Sequence, residues 1–141
     1  MAIEEEETRC FSDAAVLTTL PVSDLEQAKR FYREKLTLRP VQELPQGLLY
    51  ECADGGRFLL YQTSAQSPSE HTQMSFVVSD IEGEIGDLKS DGVSFEKYDR
   101  PDLSTVGSIA YTRSAESAWF RDSEGNLIGI TQSTSEGEEP R

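Results

Sequence analysis

The sequence predicts a mixed α+β domain: two tandem β-α-β-β-β modules that form a curved eight-stranded sheet with an open cavity. Three observations carry this expectation. The pentapeptide Val22-Ser23-Asp24-Leu25-Glu26 returns as Val78-Ser79-Asp80-Ile81-Glu82, 56 residues later. Each copy follows an apolar strand-like run and precedes a helix-like one, and self-similarity of this kind marks a duplicated structural unit. The turn Asp54-Gly55-Gly56 in the first half is matched by Ser123-Glu124-Gly125-Asn126 in the second.

In the first copy, residues 14–20 read as a buried strand. Ser23 and Glu26 then form an S-x-x-E capping box that satisfies free backbone N–H groups at a helix start. The helix runs to about Leu36, with Leu25, Ala28, Phe31, Tyr32 and Leu36 on one face at spacings of three and four. Strands follow at residues 39–43, 48–53 and 58–62, the last two joined by the glycine turn. Residues 64–70 are polar and aperiodic, which places a linker between the modules at 64–71.

The second copy begins with a strand at residues 72–78. Ser79 and Glu82 repeat the capping box, and Ile81, Ile85 and Leu88 mark a helix that Gly92 closes. Further strands read at 94–98, 117–121 and 127–132. The long connection 100–112 carries a weak strand at 108–112, and long connections in compact domains often lie over a site. The modules therefore occupy 13–63 and 72–132 as one domain, flanked by charged tails at 1–12 and 133–141.

Composition narrows the function classes. The formal charge is −13, and the acidic ends account for enough of it to leave about −8 on the body. A surface this acidic repels phosphate backbones and anionic lipid, so neither nucleic acid nor membrane is an expected partner, whereas a cationic ligand is compatible. The two cysteines, Cys10 and Cys52, lack the spacing of a zinc knuckle or a disulfide framework. No signal peptide or long apolar span is evident, so the expected location is the cytoplasm.

The paired modules, the Val-x-Asp-[Leu/Ile]-Glu helix start, Phe31-Tyr32, and the run from Trp119-Phe120-Arg121-Asp122 through Gly125-Asn126-Leu127-Ile128 together resemble the vicinal-oxygen-chelate superfamily. That group includes glyoxalase I, extradiol dioxygenases, fosfomycin-resistance enzymes and bleomycin-resistance proteins. Its metal-dependent members hold a divalent ion on the concave sheet through a first-strand motif resembling H-x-x-L-x-V-x-D and a late G-N-x-x-E. Counting back from Asp24 and Asp80 puts Leu17 and Gln73 at the ligand positions. The twin turns put Leu59 and Gly129 at the other two. One amide oxygen cannot replace several converging N/O donors, so the resemblance implies a fold without its usual metal and no cofactor.

His71, the only histidine, stands two residues before Gln73 and therefore on the same strand face, so a register shift would bring it to the site, with Glu51 or Glu70 nearest among acids. Without metal, the same face reads as a ligand-binding cavity lined by Leu17, Leu59, Tyr61, Gln73, Trp119 and Gly129, with Tyr61 and Gln73 as polar handles. Leu17 and Leu59 read equally as core, Tyr61 has ordinary core as its alternative, and Trp119 reads also as a core or interface aromatic. Tyr111 is placed to close over the cavity. No nucleophile and base stand at a recognisable spacing, so catalytic residues are not assigned.

Three functions follow as expectations. The first is a protein of the bleomycin-resistance kind, binding a small molecule in a metal-free cavity. The second is a metal-dependent lyase or dioxygenase of the glyoxalase or extradiol type. The third is a structural or regulatory dimer whose cavity is filled by its own side chains. In all three the resemblance implies a homodimer that covers exposed sheet edges.

Overall fold

The structure, a computed structural model, describes residues 11–64 and 70–133. The expectations for most of the two tails and of the linker lie outside the described residues. Strand β1 (Thr18–Val22) leads into helix α1 (Leu25–Leu36), followed by β2 (Gln42–Leu44), β3 (Gly47–Glu51) and β4 (Arg57–Gln62). These strands pair in the order β1-β4-β3-β2, with β1 parallel to β4. The second module repeats the plan. Strand β5 (Met74–Val77) leads into α2 (Ile81–Ser90), and β8 (Ala110–Tyr111), β9 (Ala115–Arg121) and β10 (Leu127–Ser133) pair with β5 in the order β5-β10-β9-β8. The eight principal strands thus form two four-stranded sheets. No helix among the described residues is long and apolar enough to cross a membrane.

Strand β1 starts later than its apolar run suggests. Thr18 pairs with Phe58 in a parallel register, and the partner strand begins at Arg57, so residues 14–17 have no strand beside them and remain largely exposed. Pro21 sits on this edge strand, where its missing N–H costs no ladder bond. The helix caps also differ from the expected boxes. Asp24, not Ser23, caps α1 by accepting from Gln27 N at 3.1 Å, and Asp80 caps α2 by accepting from Gly83 N at 3.1 Å. Ser23 is drawn away by a distant acid: its N and Oγ both donate to Glu124 Oε1 at 2.8 Å, and Asp24 N donates to Glu124 Oε2 at 3.2 Å. Glu124 from the second module's turn thereby places a carboxylate at the positive end of α1.

The expected strand at 94–98 reduces to a single bridge between Phe95 and Phe120. Beyond Glu96, whose N donates to Trp119 O at 2.8 Å, the chain is diverted. Tyr98 N donates to Thr105 Oγ1, and the hairpin of β6 (Asp99–Arg100) and β7 (Leu103–Ser104) stands off the sheet. The chain returns to β9 only at Ala110 and Tyr111. The fourth strand of the second sheet is therefore split, with a hairpin inserted between its halves.

Alternation sorts the side chains. Leu20, Val22, Phe58 and Leu60 of the first sheet face α1, and Ala118, Phe120, Ile128 and Ile130 of the second face α2; all belong to one core cluster. The modules meet through these helix-bearing faces, with Phe58 edge-on to Phe76 at 6.1 Å. The opposite face of each sheet is turned away from the shared core.

Candidate functional site

Period-two alternation places Gln73, Gly129 and Trp119 together on the outer face of the second sheet. Gly129 pairs with Ser75 on one side and Trp119 on the other. The Gln73 side chain accepts from Leu127 N at 3.3 Å, and Gln73 N donates to Leu127 O at 2.9 Å. Trp119 Nε1 donates to Thr72 Oγ1 at 2.9 Å. The Trp119 ring meets Tyr98 edge-on at 5.5 Å, and the Arg100 guanidinium lies 5.2 Å from the centre of the Tyr98 ring. An aromatic ladder with a cationic end thus covers this face.

The remaining expected residues stand elsewhere. Leu59 and Tyr61 lie on β4, opposite Thr19 and Pro21, and Leu17 immediately precedes β1 on the first sheet. Leu17 is 40% exposed and Tyr61 38%, and on the second sheet Val77 is 65% exposed. The six residues therefore make two patches on the outer faces of two sheets, with Leu17 and Tyr61 exposed, Leu59, Gln73 and Trp119 half-buried and Gly129 buried. Tyr111 is exposed at the end of β8, and it is Tyr98, from the inserted hairpin, that lies against Trp119. Sequence reasoning missed Thr72, Tyr98 and Arg100; Ser75 shares the alternation assigned to Gln73, whereas Thr72 is out of that alternation and nothing local marks the hairpin residues.

The residues present do not fit a divalent metal of the kind held by the metal-dependent proteins that the sequence resembles. Leu17 and Leu59 offer no donor, and the Gln73 amide oxygen is engaged by the backbone. A Cβ built on Gly129 would lie 2.7 Å from Ser75 Oγ, 3.3 Å from Thr72 Cγ2 and 3.4 Å from Trp119 Nε1, so a glutamate there would require Ser75 to rotate and Thr72 and Trp119 to give way. His71 lies outside β5 and is exposed. Among the described residues no group of three or more His, Cys, Asp or Glu side chains is arranged to hold a metal ion.

A buried polar network ties the modules together on the helix side. Tyr32 Oη of α1 donates to Asp122 Oδ2 at 2.7 Å, and the same oxygen accepts from Asn126 Nδ2 at 3.0 Å. Asn126 Nδ2 also donates to Pro21 O of β1 at 3.0 Å. Burial first, and the Asp122 charge second, hold the Tyr32 hydroxyl well above the ordinary tyrosine range. A protonated Tyr32 is therefore a permanent donor across the module junction.

Duplicated modules with parallel outer strands, a helix on one face and an open opposite face define the class. The profile of the Glyoxalase/Bleomycin resistance protein/Dioxygenase superfamily matches residues 15–130, and the chain belongs to that superfamily. Among solved structures it is similar to TnmS3, an antibiotic binding protein from Streptomyces sp. CB03234, with 22% identity, TM-score 0.65, and coverage of 86% of this chain and 98% of that one. It is also similar to lactoylglutathione lyase from Agrobacterium tumefaciens, with 21% identity, TM-score 0.62, and coverage of 85% and 93%. The fosfomycin resistance protein FosX from Listeria monocytogenes matches with 18% identity, TM-score 0.62, and coverage of 86% and 94%. At these identities the likeness establishes the fold. A comparison with curated protein sequences finds no match.

Proposed function

We propose that this protein binds a small molecule without a metal cofactor, on the outer sheet faces, and that a second copy of the chain completes each site. The observation that carries the reading is the pair of outer sheet faces turned away from the shared core. One presents Leu17, Leu59 and Tyr61, the other Gln73, Trp119 and Gly129, and they belong to different sheets of one chain. A two-fold axis would set the first face of one copy against the second face of the other, and the reverse, giving two equivalent enclosed sites. The lack of a fitting donor set at the four expected positions supports binding over turnover, and the structural neighbours include an antibiotic binding protein as well as a lactoylglutathione lyase. The acidic body, about −8, favours a cationic or neutral ligand over an anionic one and gives no attraction to nucleic acid or anionic membrane.

Sedimentation at micromolar concentration is expected to give a species of twice 15.7 kDa. A thermal-shift panel of aromatic and cationic compounds should yield binders, since ligand that favours the folded state raises its midpoint. For such a binder, Tyr61→Ala should weaken calorimetric affinity by roughly tenfold, the loss of one aromatic contact. A monomer at that concentration, or a binder indifferent to Tyr61→Ala, would contradict the proposal.

A further inference from the structure

The duplication is unequal at the module junction, and the inequality leaves a cleft. The offset of 56 that relates Asp24 to Asp80 relates Tyr32 to Leu88, and the turn pairing that relates Gly55 to Gly125 relates Cys52 to Asp122. The backbone agrees: Cys52 N donates to Gly56 O at 2.7 Å, as Asp122 N donates to Asn126 O at 3.0 Å. Gly55 and Gly125 both have positive φ, 77° and 88°. On one side of the molecule Tyr32 fills the junction and bonds to Asp122. On the other, Leu88 and Cys52 stand in the same places and leave a cleft of about 470 Å³, within the size range of small-molecule sites.

The cleft floor is apolar. Phe76, Val78, Phe120 and Ile130 form it, and Leu36 and Leu38 from the end of α1 make a wall. Phe76, Val78, Leu36, Leu38 and Cys52 are only partly buried, so the shared core is open to solvent here. The mouth is acidic. Glu84 and Asp87 of α2 line it, where α1 carries Ala28 and the core-packed Phe31 at the equivalent positions. Among the described residues neither carboxylate has an ion-pair partner. The cation of the rim, Lys35, donates to Asp91 O at 2.5 Å. With Asp91 the lining holds three acidic residues to one lysine, and an apolar floor beneath this acidic mouth is complementary to a molecule that is greasy at one end and positive at the other.

We infer that this cleft is a second ligand site, for a small apolar or aromatic molecule carrying one protonated amine, with its ring on the Phe76 and Phe120 floor and its ammonium between Glu84 and Asp87. The site lies on the helix side of both sheets and does not depend on the outer-face reading. Both carboxylates are exposed at the mouth, where a single ion pair is weak, and the two together should separate an amine from its neutral analogue by about tenfold in Kd.

The test uses the full chain, with 1-naphthylmethylamine and the neutral 1-naphthylmethanol as probes in calorimetric titrations. The amine is expected to bind about tenfold more tightly than the alcohol, and Glu84→Gln with Asp87→Asn should erase that difference. Leu88→Tyr with Cys52→Asp copies the filled junction and should abolish binding of both probes. In a Cys10→Ser background, bound amine should slow alkylation of Cys52 severalfold; this readout needs no core substitution and stands even where the filled variant does not fold. Absence of amine binding, affinity unchanged by the charge removal, or Cys52 alkylation at the same rate with saturating amine would each overturn the inference.

Discussion

Asp122→Ala is expected to lose about 3 to 5 kcal/mol of unfolding free energy, the size associated with removing one partner of a buried charged network. Asp122 is 6% exposed, and its carboxylate accepts four hydrogen bonds. Oδ2 takes the Tyr32 hydroxyl and Asn126 Nδ2, while Oδ1 takes Glu124 N and Asn126 N, both at 2.9 Å. Truncation strands a tyrosine hydroxyl and two turn amides, and each buried orphan costs about 1 to 3 kcal/mol without full additivity. It also releases the turn that carries Glu124 to the start of α1. Chemical denaturation read by fluorescence measures the loss. Tyr50→Phe is the contrasting control: the Tyr50 hydroxyl is buried with no hydrogen-bond partner among the described residues, so its removal should be neutral or stabilising by up to about 1 kcal/mol. Equal losses for the two variants would show that burial alone, not the network, accounts for the effect.

Gly129→Glu should destabilise by about 2 to 4 kcal/mol and gain no metal affinity, although it restores the residue type that the superfamily's metal-binding members are expected to have there. The first added carbon meets Ser75 Oγ at 2.7 Å and crowds Thr72 and Trp119. Ser75 is exposed and can rotate, which relieves part of the overlap. The carboxylate then lies against the Trp119 indole and breaks or bends its bond to Thr72, with Leu17 and Leu59 unable to supply a second donor. Thermal denaturation with and without added zinc or nickel reads both parts of the expectation. A variant as stable as the parent that binds metal stoichiometrically would mean that the donor set is nearer completion than the geometry allows.

Local signals placed the helices and the face assignments well. The repeated Val-Ser-Asp motif couples an apolar strand end to a helix cap, both properties of a few neighbouring residues, and α1 ends at Leu36 as its apolar period requires. Counting back from Asp80 led to Gln73, and the late glycine turn led to Gly129; the strand register sets these two on one sheet face, and alternation leaves little freedom once a register is fixed. The cap itself was misassigned by one residue. Ser23 and Asp24 are both competent caps; the Asp takes the position in both modules, and in the first Ser23 is held instead by Glu124, 101 residues away. The split fourth strand was equally hidden, since Phe95 and Tyr111 pair with one strand across a hairpin whose residues have ordinary local propensities. Hardest to read was which faces meet. Period-two patterns distinguish two faces of a sheet but do not say which of them packs against the other module, and the deciding contacts, such as Tyr32 with Asp122 across 90 residues, are tertiary.

The metal content of the purified protein tests the central claim most directly. Plasma mass spectrometry on chain prepared without chelator, and again after incubation with nickel, zinc, iron and manganese followed by desalting, should find far less than one ion per chain, unchanged in His71→Ala. One equivalent of any of these metals, retained through desalting and lost on His71→Ala, would contradict the metal-free reading and return the protein to the metal-dependent chemistry of its superfamily.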